Sequence, residues 1–349
     1  MQGEIRTRFL WLDGLRGISA LCILVYHSGL VDPRLIGWAW LCVDFFFCLS
    51  GFVLARSILE SSQSNLGAGH FLKNRIIRIW PVLIIAIVLQ TTSQILQYSK
   101  ESLTGNFGET KVNLAHAPLT WVGAFFLLQI VSGPVTLFCC QLWSLSTEWW
   151  VNVLFVFSRI GLRTFVIYFY LFAGIVCVFF SGIKHDSELD WSSRVVMLWA
   201  FGRTLISFSI GLLIWKFSMS RESVSSFSHV SVTILVLISN YVTWRLFPEI
   251  SLLVGLFSSA LLVYVFSKRR NPNVDSIYTK ILRVLGEASF GIYAYQGIFL
   301  IATKQLVNFG LWHFCALIIL LISTFWFSTF SRKYIEPKLA NFLRKKLKS

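Results

Sequence analysis

Apolar runs of about 16 to 23 residues recur along the chain from residue 10 to residue 331, separated by short stretches where Lys, Arg, Asn, Ser and Gly collect. As helices rising about 1.5 Å per residue, such runs are of the length that a hydrocarbon core of about 30 Å accommodates. The pattern predicts helices over roughly 10–30, 36–56, 78–98, 146–161, 164–183, 196–216, 229–247, 249–267, 284–303 and 309–331. An eleventh apolar stretch, 118–133, reads either as a crossing or as a segment that enters and leaves on one side. The first run follows Arg6 and Arg8 as in a signal peptide, but it continues into "VYHSGLVDPR" without a small-residue cleavage site and is read as a retained span.

Basic residues arbitrate the eleventh stretch, because short cytoplasmic loops are enriched in Lys and Arg. With 118–145 kept on one side and the N-terminus cytoplasmic, 22 of the 29 Lys and Arg outside the spans fall on one face. A full crossing at 118–133 would invert every later loop and erase that bias. The expectation is an all-α polytopic membrane protein with about ten transmembrane helices and both termini cytoplasmic. A single integral domain covers 1–331, and the basic tail 332–349 lies as an amphipathic segment on the inner leaflet.

Composition agrees: 56% of residues are hydrophobic and 13% charged, outside the range of soluble domains. The net charge of +15 is then accounted for by topology and by anionic lipid, so nucleic acid is not an expected partner. Seven cysteines, at 22, 42, 48, 139, 140, 177 and 315, fall mostly in apolar runs without metal-ligand spacing and read as buried structural thiols. No phosphate-loop, dinucleotide, zinc-hydrolase or nucleophile-elbow motif occurs, and no metal is expected.

Ionisable groups inside spans are costly and therefore mark function or helix pairing. Arg16 and His27 lie eleven residues apart, about 20° beyond three turns. They project from one helix face roughly 16 Å apart and are expected to line one continuous groove. Imidazole suits proton removal from a hydroxyl near neutral pH. Asp44, about two turns into the second span, either orients His27 or neutralises Arg203 or Arg16. In "FFFCLSGF" the small pair Ser50 and Gly51 reads as helix packing. "LWSLSTEWW" brings Glu148 to the outer entrance of its span, as a second acid, a substrate contact or an interfacial charge. Its tryptophans form either an interfacial belt, the usual arrangement, or a stacking floor for a sugar. In "FLKNRIIRIWP", Arg75 and Arg78 share a face at i, i+3, with Lys73 and Arg56 near. They serve as topology anchors or as forks for phosphate.

These fragments, "FLWLDGLRGISALCILVYHSG", "VDFFFCLSGFVLAR", "FLKNRIIRIWP", "LWSLSTEWW" and "LGEASFGIYAYQ", occur in an order and spacing that resembles the acyltransferase-3 family of integral membrane O-acyltransferases. The resemblance implies transfer of an acyl group, usually acetyl from acetyl-CoA, to a hydroxyl of an envelope or exported polysaccharide or related glycoside, at a bacterial inner membrane. It implies that His27 is catalytic, with Arg16 as its motif partner, and that Arg75 and Arg78 are donor-side arginines. The spacing and depth of the residues add two expectations: Asp44 or Glu148 stabilises the imidazolium, and Arg16 meets the donor's arm or phosphates in preference to a developing oxyanion. His27 acts as general base or through an acyl-histidine. The late motif often ends in histidine where this chain has Gln296, which leaves no second titrating group there. The competing class is a multi-span transporter or flippase with Arg16, His27 and Asp44 as a substrate or proton path.

Overall fold

The computed structural model describes residues 9–63, 68–104, 117–129, 142–157, 163–183, 194–218, 226–269, 271–273 and 276–347. Among these every regular element is helical. The longer helices are α1 (Leu10–Ser28), α2 (Cys42–Gln63), α3 (Ala68–Thr104), α4 (Ala117–Phe125), α5 (Trp143–Phe157), α6 (Thr164–Ser181), α7 (Arg194–Ser218), α8 (Ser226–Leu246), α9 (Ser251–Ser267), α10 (Ile277–Asn308), α11 (His313–Phe330) and α12 (Glu336–Lys346). Each of the ten expected segments falls on one of these helices. Among the described residues seven helical stretches are by themselves long and apolar enough to cross a membrane, those built on α2, α3, α6, α7, α9, α10 and α11.

α2 and α3 extend beyond the expected spans, to Gln63 and back to Ala68, so most of the expected 56–78 loop is helix. α4 has nine residues and so rises about 13 Å, too little to cross the hydrocarbon core. It stops at Leu127, which has φ 54°, a left-handed conformation uncommon for a branched residue. The turn is tied to α5: the Leu127 carbonyl accepts from Ser146 Oγ at 2.6 Å and from Trp150 Nε1 at 2.8 Å. The helix therefore ends where α5 supplies donors. Residues 130–133 and His116 lie outside the described residues.

α1 packs along α10, and α2 packs against α7, which also meets α6; α10 continues to α11 and touches α3. The α1–α10 contact is close because Gly17 and Gly286 face each other's helix. A Cβ on Gly17 would sit 2.6 Å from Leu285 Cβ, and one on Gly286 would sit 2.6 Å from Asp13 Cβ. Gly51 packs against the Phe208 backbone of α7, as small residues in membrane helices permit. Phe165, Phe169, Phe172 and Phe179 on α6, and Ile318, Ile322 and Trp326 on α11, project outward from the bundle. An apolar exterior costs nothing where the surroundings are hydrocarbon.

The tail packs on the bundle. α12 is continuous with α11 through a π-helical turn, Ser331–Ile335, and packs against α3. Leu339 and Leu343, one turn apart, join the apolar cluster around Ile79 and Leu83. Lys73 of α3 donates to the Leu347 carbonyl. Leu339 and Leu343 of the tail are thus taken up by the protein, while Phe342 stays exposed. Of the cysteines described, Cys48 is buried, Cys22, Cys42 and Cys177 are half-buried and Cys315 is exposed.

Candidate active site

The shared face of Arg16 and His27 is the face that α1 presents to α10. Arg16 donates from Nε to Ser289 Oγ at 2.8 Å and from Nη2 to the Gly286 carbonyl at 2.6 Å. The close glycine approach is what lets a guanidinium reach that carbonyl. At the other end of α1, His27 is exposed, and its Nδ1 lies 3.2 Å from Gln296 Oε1.

Gln296 settles the histidine tautomer. Its Nε2 donates to the Tyr293 carbonyl at 3.0 Å, and a carbonyl only accepts. The amide orientation is therefore fixed, and Oε1, an acceptor, faces the imidazole. Nδ1 must carry a proton, so in the neutral imidazole the lone pair is on Nε2. This is the orientation in which a neutral histidine serves as a base.

Toward the other end of α1 a cavity of about 120 Å³ opens between α1, α2, α3, α5 and α10. Arg16, Arg75, Arg78 and Glu148 bring charge to its wall, and Ser50, Ser289 and Tyr293 bring hydroxyls. Arg75 Nη2 donates to Glu148 Oε1 and to Ser50 Oγ, both at 2.7 Å, and Ser50 Oγ donates to the same carboxylate oxygen at 2.6 Å. One carboxylate against three guanidinium groups leaves the cavity net positive. Lys73 and Arg56 do not line it: Lys73 turns to the tail, and Arg56 lies over the Phe9 ring at 5.7 Å.

The cavity holds Arg16 but not His27, so the expected continuous groove is interrupted. Tyr293 stands between them: its hydroxyl pairs with Ser144 Oγ at 2.7 Å, and its carbonyl holds Gln296. Around it Ile23, Val43 and Phe47 form a small apolar cluster.

Asp44 and Glu148 are both placed away from His27. Asp44, 0% exposed, meets Arg203 in a two-pronged ion pair, Nε to Oδ1 and Nη2 to Oδ2 at 2.7 Å each, and accepts from Ser207 at 3.2 Å. The Arg203 guanidinium lies over Trp40 at 4.4 Å and Trp199 at 5.0 Å. Of the three partners open to Asp44, namely His27, Arg203 and Arg16, Arg203 is the one it meets. Glu148 sits with the arginine cavity, because the first turn of α5 is already inside the bundle, with Ser144, Leu145, Ser146 and Thr147 buried. The tryptophans follow it inward. Trp149 is edge-to-face on Trp80 at 5.0 Å, Trp143 meets Phe47 at 6.1 Å, and Trp150 bonds Leu127. They pack the interior instead of forming a belt.

Sequence reasoning missed Ser50, Ser289 and Tyr293 as site residues and read Gln296 as a loss. A signal was present: Gly286, Ser289, Tyr293 and Gln296 stand at i, i+3, i+7 and i+10, one face of a helix. That face matches the eleven-residue spacing of Arg16 and His27.

The described site is a positively charged cavity inside a helical bundle, with an oriented histidine beyond it. The chain belongs to the acyltransferase-3 family: residues 9–332 match that family's model, described as an acyltransferase domain. That description is of an acyltransferase and not of a transporter. Among curated relatives, "Protein 2 in picA locus" of Rhizobium radiobacter is 38% identical over 92 residues, covering 26% of this chain and 48% of that protein. The "Putative membrane-bound transacylase BcsY" of Komagataeibacter xylinus is 27% identical over 140 residues, covering 39% of this chain and 33% of that protein. The matched region thus spans half or less of each relative's length. No solved structure matches the chain.

Proposed function

We propose that the protein is a membrane O-acyltransferase that moves an acetyl group from cytoplasmic acetyl-CoA to a hydroxyl of an envelope or exported polysaccharide or a related glycoside. The observation that carries the reading is the bond from His27 Nδ1–H to Gln296, which leaves Nε2 as the acceptor at the exposed end of α1. The transacylase name of one relative points the same way.

In this reading ten helices span a bacterial inner membrane, both ends of the chain are cytoplasmic, and the arginine cavity faces the cytoplasm. Arg16, Arg75 and Arg78 hold the anionic donor, with Glu148 and Ser50 fixing Arg75 in place. His27 Nε2 takes the proton of the acceptor hydroxyl as its oxygen forms a bond to the thioester carbonyl. The carbon–sulfur bond then breaks, the imidazolium returns its proton to the departing thiolate, and CoA leaves as the free thiol. Tyr293 separates the donor cavity from His27, so the thioester reaches the base only when the Tyr293–Ser144 pair yields. Asp44 contributes through its pair with Arg203, which positions α2 against α7, and not by contact with His27.

The test uses purified protein in nanodiscs with acetyl-CoA and candidate glycans. Free CoA thiol should appear in one-to-one proportion with acetylated acceptor. Acetyl-CoA consumption without acetylated glycan, or glycan acetylated without thiol release, would defeat this reading.

A further inference from the structure

A second, larger cavity of about 700 Å³ adjoins the first, between α3, α10 and the tail. It is large enough for a drug-sized ligand, whereas the first cavity, at about 120 Å³, is too narrow for one. Arg78 lines both. Its other cations are Arg332 and Lys333, on the π-helical turn, and Arg344 of α12, against Glu287 and Glu336.

Glu336 is largely spent within the protein. Its Oε1 accepts from the buried Tyr295 hydroxyl and from Ser331 at 3.1 Å each, and its Oε2 lies 3.5 Å from Arg332 Nη1. The carboxylate anchors the π turn and holds Arg332 at the cavity. Insertions of this kind often mark functional sites, and this one sets two consecutive basic residues at the junction of α11 and α12.

α10 orders the three places along one axis. Val284, Glu287 and Ala288 line the large cavity, Ser289, Phe290 and Tyr293 line the narrow one, and Gln296 holds His27. Glu287 to Gln296 is nine residues, about 14 Å of helix. A ligand with a bulky polyanionic head and a slender arm fits that order, head at the tail and arm past Arg78.

We propose that the large cavity binds the phosphates of the donor's nucleotide, with Arg332, Lys333 and Arg344 as the recognising cations. This rests on the acyl-CoA reading above and adds a recognition element from the tail, most of which lies beyond the matched residues 9–332. Arginine forks and a lysine point charge suit phosphate oxygens.

The test compares Kd values for acetyl-CoA and acetyl-pantetheine, which lacks the nucleotide, by calorimetry on the full chain in phosphatidylcholine nanodiscs. The double variant Lys333→Gln/Arg344→Gln keeps the Arg332–Glu336 pair and so the anchored turn; Arg332→Gln is the second variant. The unaltered protein should prefer acetyl-CoA, and each variant should lose about tenfold or more of that preference, the factor for one charge-assisted bond. An unchanged preference overturns the proposal, as does an equal weakening of both ligands, which would mean a packing role. If adding phosphatidylglycerol weakens acetyl-CoA binding in the unaltered protein but not in the variants, the phosphate recognised is a lipid headgroup and the nucleotide assignment falls. If the unaltered protein binds no acetyl-CoA, the donor reading itself fails, a result distinct from all of these.

Discussion

Three side chains carry the account at the residue scale: His27, Gln296 and Arg203. Gln296 holds His27 through one neutral hydrogen bond, worth about 1 to 1.5 kcal/mol. Gln296→Leu should therefore lower kcat about tenfold with little change in KM for acetyl-CoA, measured by steady-state kinetics. A loss confined to KM would remove Gln296 from His27 positioning. Asp44 and Arg203 make a different prediction. Arg203→Ala leaves a carboxylate buried without its partner and should cost about 3 to 5 kcal/mol of stability, read as a large drop in thermal midpoint in detergent. The paired change Asp44→Asn/Arg203→Gln removes both charges and should restore much of the stability and retain transfer. Failure of that folded double variant to transfer would return Asp44 to the chemistry.

At the element scale, the α1–α10 contact sets where Arg16 sits. Gly286→Val places a branched side chain against Asp13, so α1 must shift and Arg16 loses its bonds to Gly286 and Ser289. Weaker acetyl-CoA binding by tenfold or more in calorimetry is expected, and unaltered binding would show that the close approach is dispensable. The pairing of Arg16 with His27 on one face was legible because helical spacing alone fixes it, and α10 receives both. The Arg75 and Arg78 pair was legible for the same reason. Ser50, Ser289 and Gln296 were not, since a neutral polar residue in a span has as much reason to pack as to bind. "LWSLSTEWW" misled because the start of α5 lies buried, with Ser146 and Trp150 bonded to the carbonyl of the left-handed Leu127. No local pattern in the motif reports that turn.

On the scale of the whole molecule, the apolar runs were enough to place ten segments on helices, seven of them in stretches long and apolar enough to cross a membrane among the described residues, because a bilayer leaves few other ways to satisfy the backbone. The docking of the tail was not legible. An amphipathic basic segment suits a membrane surface and a protein surface equally, and only the fold shows Leu339 and Leu343 against α3. The topology is open to a direct check. A cysteine at Asp32, in the turn after α1, should react with an impermeant maleimide from outside intact cells, and one at Ser276, before α10, only after permeabilisation. The reverse pattern would invert the protein and place the arginine cavity on the wrong side for a cytoplasmic donor.

The measurement that bears most directly on the central claim is transfer by His27→Ala. In nanodiscs the variant should bind acetyl-CoA as the unaltered protein does, because the donor cavity does not include His27, yet release no CoA thiol and acetylate no glycan. Transfer at an undiminished rate would contradict the account and take the histidine out of the reaction.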